Sequence, residues 1–270
     1  MNTSIPELSI AFMILAMICG TALPVALCIF FRKKYHCSLI PFFFGCAVML
    51  TFALMLEQLA HALILNSSAG TVIKNNIWLY AVYGGLMAGL FEEGGRFIIM
   101  KTAMKNYREN NYNALMYGAG HGGFEAFYLL TLGMVNNLAA SIMINSGNAA
   151  QLTAGLTADQ AASAEAAFAQ LASSPSWLFL LSIVERFAAI ASQLAFSVLV
   201  WFAVKNGKKA SWLFPAAIFL HLLLDAAAVI LNHYLPNQAY LTELAVCLLS
   251  AGNVCFAYKI WKKSTAAEEI

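Results

Sequence analysis

Four side chains of this sequence, Glu92, Glu93, His121 and His221, have the chemistry to activate water and to support the charge that builds on a carbonyl under attack. They belong to three short clusters: Phe91-Glu92-Glu93-Gly94-Gly95-Arg96, Gly120-His121-Gly122-Gly123-Phe124-Glu125 and His221-Leu222-Leu223-Leu224-Asp225. Each cluster lies inside a strongly apolar run. A charged group at the centre of a bilayer costs at least ~2.5–3.5 kcal/mol on insertion scales, so those retained there usually face the inside of a helix bundle and serve catalysis or transport.

Within the first cluster, Glu92 and Glu93 project about 100° apart on a helix. Arg96 stands four residues from one and three from the other, so either can pair with it. The remaining carboxylate is then free to act as a base. Arg96 reads as structural and electrostatic. In the second cluster His121 and Glu125 share a helix face at i,i+4. Gly118, Gly120, Gly122 and Gly123 strip side chains from around the imidazole, which would open room for water or peptide. In the third, His221 and Asp225 repeat the i,i+4 spacing, and the acid can orient the ring. Against these stand blander readings: an ion pair that only fixes helix packing, and histidines that only satisfy hydrogen bonds. Glu185 with Arg186, and Glu57 with His61, read as structural pairs toward the outer face; Gln193 and Asn253 either join the site or bridge helices.

The elements that must position these groups follow from composition. Of 270 residues, 61% are hydrophobic and only 10% charged, against about 25% charged in soluble domains. The expectation is an all-α, polytopic membrane bundle formed by residues 1–270 as one domain. Seven apolar segments can be drawn: 8–31, 39–65, 77–104, 112–144, 177–204, 212–231 and 240–261, each near the ~20 residues a membrane span needs. Met1 to Glu7 lack the positive start of a signal peptide, so the first segment reads as a retained helix. Lysine and arginine collect in alternate links, at Arg32–Lys34, Lys101–Arg108, Lys205–Lys209 and Lys262–Lys263. Positive links stay in the cytoplasm, which predicts the N-terminus outside and the C-terminus cytoplasmic. The Ala-rich stretch 145–176 is then an extracytoplasmic loop, and Thr157 can cap a helix over 157–171. Rise per residue places Glu93 ~12 Å, and His121 and His221 ~15 Å, from the cytoplasmic ends of their helices. Three helices thus bring these groups to one level. The six cysteines form no Cys-x-x-Cys pair and read as core residues; the net charge of +2 calls for no nucleic acid partner.

The order Glu92-Glu93-x-x-Arg96, Gly-His121-Gly-Gly-x-Glu125, His221-x-x-x-Asp225 resembles the YhfC family of intramembrane metalloproteases, grouped with the CAAX prenyl proteases, the CPBP proteins and PrsW. The resemblance spans Phe91 to Asp225. It implies a hydrolase in which Glu92 or Glu93 and His121 activate water, while His221 and Asp225 stabilise the oxyanion. The chain departs from the CAAX pattern in having two rather than three residues between the glutamates and the arginine. Zinc held by His121, His221 and Glu93 is one mechanism; a metal-free glutamate protease is the other. The expected substrate is a membrane protein or a peptide close to the lipid bilayer, and the expected location a bacterial plasma membrane. A non-catalytic scaffold or sensor, and a proton-coupled transporter, are the rival readings.

Overall fold

The computed structural model describes residues 4–266, and among them there is helix but no strand. Each expected apolar segment becomes a helix. In chain order the helices are α1 (Glu7–Tyr35), α2 (Ile40–Leu65), α3 (Ser68–Lys74), α4 (Ile77–Lys101), α5 (Asn113–Asn145), α6 (Ala158–Ser173), α7 (Trp177–Lys205), α8 (Leu213–Tyr234) and α9 (Ala239–Ala266). Local chemistry sets several starts. The Asn76 side chain accepts from the backbone N–H groups of Trp78 and Leu79 to open α4. Thr157 and Gln160 form the reciprocal capping box that opens α6.

α1, α2, α5, α7, α8 and α9 are long and apolar enough to cross a membrane. Large apolar side chains stand uncovered on them, Phe43 61%, Ile142 64% and Leu248 65% exposed among others. That much bare hydrocarbon surface suits lipid rather than water. This is an integral membrane protein. α4, at 25 residues, is about 38 Å long and also outspans a ~30 Å hydrocarbon core. Its hydropathy is lowered by Glu92, Glu93 and Arg96, and all three are buried in the protein.

The contacts gather the chain into two compact units, Met1–Leu23 with Ala126–Val184, and Pro24–Glu125 with Glu185–Ile270. In the first, Ile5, Met13, Ala16, Leu130, Met134 and Phe179 form the core. Asn145 ties the start of the chain down: its Oδ1 accepts from the Ile5 N–H and its amide donates to the Ile5 carbonyl. The second holds all three polar clusters. Here α4 lies on α8 with Gly85 against Leu222 and Gly89 against Ile218, four residues apart on each helix. This is the small-residue spacing that lets two helix backbones approach.

Glycine does the same around His121, which corrects one expectation. Instead of opening space for water or peptide, the glycines are filled by neighbouring helices. A Cβ at Gly120 would lie 1.9 Å from the Phe42 carbonyl oxygen of α2. One at Gly118 or Gly122 would meet Ser197 or Gln193 of α7 within 3 Å, and one at Gly123 would meet Pro24 of α1 at 2.5 Å. His121 is fully buried as a result. Two stretches wind as wide π turns, Met49–Glu57 in α2 and Phe127–Leu132 in α5; periodicity alone does not announce these.

Gly120→Ala should therefore destabilise the protein by at least ~1–3 kcal/mol, because the new methyl meets backbone that cannot move aside. Gly84→Ala, whose Cβ would meet nothing within 4 Å, should be neutral or stabilise by ~0.5–1 kcal/mol through helix propensity. Thermal unfolding of the two variants in detergent checks this; equal midpoints would contradict the close helix approach.

Candidate functional site

Arg96 organises the site from α4. Its Nη1 donates to both carboxylate oxygens of Glu93, at 2.7 and 2.6 Å, and its Nη2 donates to Oε1 of Gln193 on α7. Arg96 and Glu93 are both fully buried. Of the two partners that spacing allows, the arginine takes the one at i,i+3. Glu92, turned away on the helix, is left without an arginine and faces the bundle interior.

There, Glu92 Oε2 accepts two hydrogen bonds. One comes from Nε2–H of His121 at 2.8 Å, the other from the Gln193 amide at 2.9 Å. Because arginine can only donate, Gln193 must turn its oxygen to Arg96, and its NH2 is thereby aimed at the carboxylates. The same NH2 lies 3.3 Å from Glu125 Oε2. His221 Nε2 stands 4.0 Å from the same Glu92 oxygen. Glu92 is thus the point on which His121, His221 and Gln193 converge, and the four residues come from α4, α5, α7 and α8.

His221 is oriented from both sides. Its Nδ1–H donates to Glu93 Oε1 at 3.0 Å, its Nε2 lies 3.5 Å from Asp225 Oδ2, and its ring stacks on Phe196 at 5.0 Å between centroids. The carboxylate that holds the ring by a hydrogen bond is Glu93, from another helix, while the i,i+4 Asp225 faces the opposite nitrogen. Glu125, for its part, lies on the His121 side of α5 but pairs with Arg186, which donates to it at 2.6 Å and also to Glu185. His121 Nδ1 is buried and has no partner among the described residues.

Glu125, Arg186, Gln193, His221 and Asp225 line a polar chamber of about 80 Å³, enough for two or so waters at ~30 Å³ each. Arg186, read from sequence as a peripheral pair with Glu185, therefore belongs beside the cluster. Its spacing from Gln193, seven residues or two helical turns on α7, was the signal that could have placed both on one face. Asn253 instead bridges helices, donating to Ser192, which in turn bonds Ser250. Glu57 and His61 pair as expected, with Tyr83 OH as a third member at 2.9 Å from His61 Nδ1.

In donor chemistry the cluster suits a divalent metal. His221 keeps its Nε2 lone pair while Nδ1 is held by a carboxylate, as histidine ligands usually are. Asp225 Oδ2, 3.5 Å from that nitrogen, is close to the ~3.3 Å separation of two ligands around tetrahedral zinc, given bonds near 2.0 Å. His121 Nε2 is at present bonded to Glu92, and no three His, Cys, Asp or Glu side chains among the described residues stand in a formed metal-holding group. A cation would have to take the place of the His121–Glu92 hydrogen bond.

Arg96→Ala should leave Glu93 buried without its partner and destabilise the protein by ~3–5 kcal/mol. Arg96→Lys should recover only part of this, since one ammonium cannot reach both Glu93 and Gln193 in the fork geometry. Arg96→Ala with Glu93→Gln should be more stable than Arg96→Ala alone. Thermal unfolding of the four proteins decides; an Arg96→Ala protein as stable as wild type would remove the pair from this central position.

The family described as YhfC intramembrane metalloprotease matches residues 19–246. A Bacillus subtilis (strain 168) protein called "Uncharacterized membrane protein YhfC" is 34% identical over 253 residues, covering 93% of this chain and 96% of the relative. No solved structure matches the chain. With four-fifths of its length matched by the family, and every polar cluster inside the matched range, the chain belongs to the YhfC intramembrane metalloprotease family.

Proposed function

We propose that this protein is an endopeptidase that hydrolyses a peptide bond in or beside the bilayer, with Glu92 as general base. The observation that carries this reading is the convergence of His121, Gln193 and His221 on Glu92, while Arg96 neutralises the neighbouring Glu93. A base needs a carboxylate free of strong cations, and Glu92 is the member of the pair that has none.

In this mechanism a water that enters between His221 Nε2 and Glu92 Oε2, 4.0 Å apart, loses its proton to Glu92 as its oxygen attacks the scissile carbonyl. Glu92, held in place by the His121 and Gln193 N–H donors, then delivers that proton to the departing amine. In the metal-free form His221 donates to the carbonyl oxygen through a protonated Nε2, Asp225 stands 3.5 Å from that nitrogen, and Glu93 keeps the ring in register through Nδ1–H. Zinc, when bound, would be held by His121, His221 and Asp225, and would supply a Lewis acid that polarises the carbonyl and acidifies water. Glu93, with both oxygens on Arg96, is assigned to support rather than to metal binding. Water reaches the chamber from the cytoplasmic side if the four basic links orient the chain with its N-terminus outside.

The test uses purified protein in lipid nanodiscs and a panel of peptides, each containing one membrane-spanning segment. Wild type should cleave at least one. Glu92→Gln and His121→Ala should reduce the rate by ~10²–10⁴-fold, and His221→Ala by a comparable factor, with the folded state retained in each. A chelator that abolishes cleavage, with zinc restoring it, selects the metal mechanism; chelator-resistant cleavage selects the metal-free one. Absence of any cleavage, combined with strongly destabilised His121→Ala and His221→Ala proteins, would replace this reading with a scaffold in which the cluster only holds helices together.

A further inference from the structure

A second concavity lies where α7 ends, α8 begins and α9 ends, and shares no lining residue with the polar chamber. It has a volume of about 670 Å³ and is lined by Asn206, Lys208, Lys209, Ala210, Trp212, Leu213, Ile260, Lys263 and Ser264. The proteolytic reading makes no use of it. Every charged side chain on its wall is a lysine: Lys208, Lys209 and Lys263. None of the three forms an ion pair or side-chain hydrogen bond among the described residues.

The local chain is built to present these lysines. Gly207 adopts φ +57°, a left-handed conformation that favours glycine. It reverses the chain into the short turn Gly207–Lys209, and both lysines of that turn are exposed. Lys263 comes from the last turns of α9. The rest of the wall is divided in character. Asn206 and Ser264 can hydrogen-bond to oxygen, whereas Ala210, Leu213 and Ile260 are apolar, and Trp212 is 53% exposed with its ring tilted against Phe256. A half-exposed tryptophan at the end of a span is the side chain that settles at headgroup level.

We propose that this cleft binds the phosphate headgroup of an anionic glycerophospholipid. The three lysines supply the charge, Asn206 and Ser264 supply donors for the phosphate or glycerol oxygens, and the apolar wall with Trp212 receives the first part of an acyl chain. Basic pockets between spans at the membrane surface hold acidic headgroups in this way. The inference is independent of whether the protein cleaves peptides.

The experiment places the protein in vesicles of phosphatidylcholine and measures quenching of tryptophan fluorescence by acyl-brominated phosphatidylglycerol against acyl-brominated phosphatidylcholine. The difference between wild type and Trp212→Phe isolates the signal from Trp212. Phosphatidylglycerol should be preferred at Trp212 by at least ~5-fold, the equivalent of about 1 kcal/mol for a lysine at an anionic surface. The preference should vanish in the Lys208→Ala/Lys209→Ala/Lys263→Ala protein and persist in the Lys208→Arg/Lys209→Arg/Lys263→Arg protein, which keeps the charge. Equal quenching by the two lipids in wild type would overturn the proposal, as would a preference that survives the triple alanine substitution. Loss of the preference on adding inorganic phosphate at constant ionic strength would assign the cleft to a soluble phosphate instead of a lipid.

Discussion

The buried pair of Arg96 and Glu93 is the constraint on which the rest of the polar site depends. Two full charges withdrawn from water are tolerated when each is matched and hydrogen bonds offset the lost hydration. Arg96 is matched through Nη1 on Glu93 and bonded through Nη2 to Gln193, while its Nε–H has no hydrogen-bond partner among the described residues. The consequences spread outward through directionality. Gln193 must show its amide nitrogen to Glu92 because its oxygen is taken. Glu93 must accept from His221 through the oxygen that the arginine also holds. One cation thus decides the roles of two carboxylates on its own helix and of one amide and one imidazole on two others.

Such a network needs helices close enough for short side chains to meet, and glycine provides that closeness. Gly85 and Gly89 admit α8 to α4, Gly120 admits α2 to α5, and Gly118 and Gly122 admit α7. In lipid there is little hydrophobic drive to press helices together, so backbone approach and interhelical hydrogen bonds do that work. The glycine surround of His121 is therefore a packing device. The open polar space lies elsewhere, between His221, Asp225, Glu125 and Arg186. The open polar space is thus divided from the close glycine contacts that hold the helices.

Charge has a different character at the two places where it gathers. Around Glu92 buried acidic and basic groups of both signs bond to one another, which fixes geometry. Around Lys208, Lys209 and Lys263 they are of one sign, exposed and unanswered within the described residues. The first arrangement fixes side-chain positions through paired opposite charges; the second leaves a positive field at the surface.

The helices and the identity of the polar clusters are legible in the chain alone. A 61% hydrophobic chain broken by basic and glycine- or asparagine-bearing links leaves little choice but long apolar helices, and all seven expected segments appear within a few residues of their drawn limits. Thr157 opening α6 was equally legible, because capping is a local hydrogen bond. Tertiary structure alone decided which partner each polar group takes. Arg96 could reach Glu92 or Glu93 by helix spacing, and the position of Gln193 and His221 on other helices selected Glu93. His121 has a carboxylate at i+4, yet bonds to Glu92 of α4, because Glu125 is drawn to Arg186. Helical periodicity describes neighbours on one helix; the strongest partner for a buried charge is whichever complementary group the packing brings within about 3 Å, and that distance is set between helices.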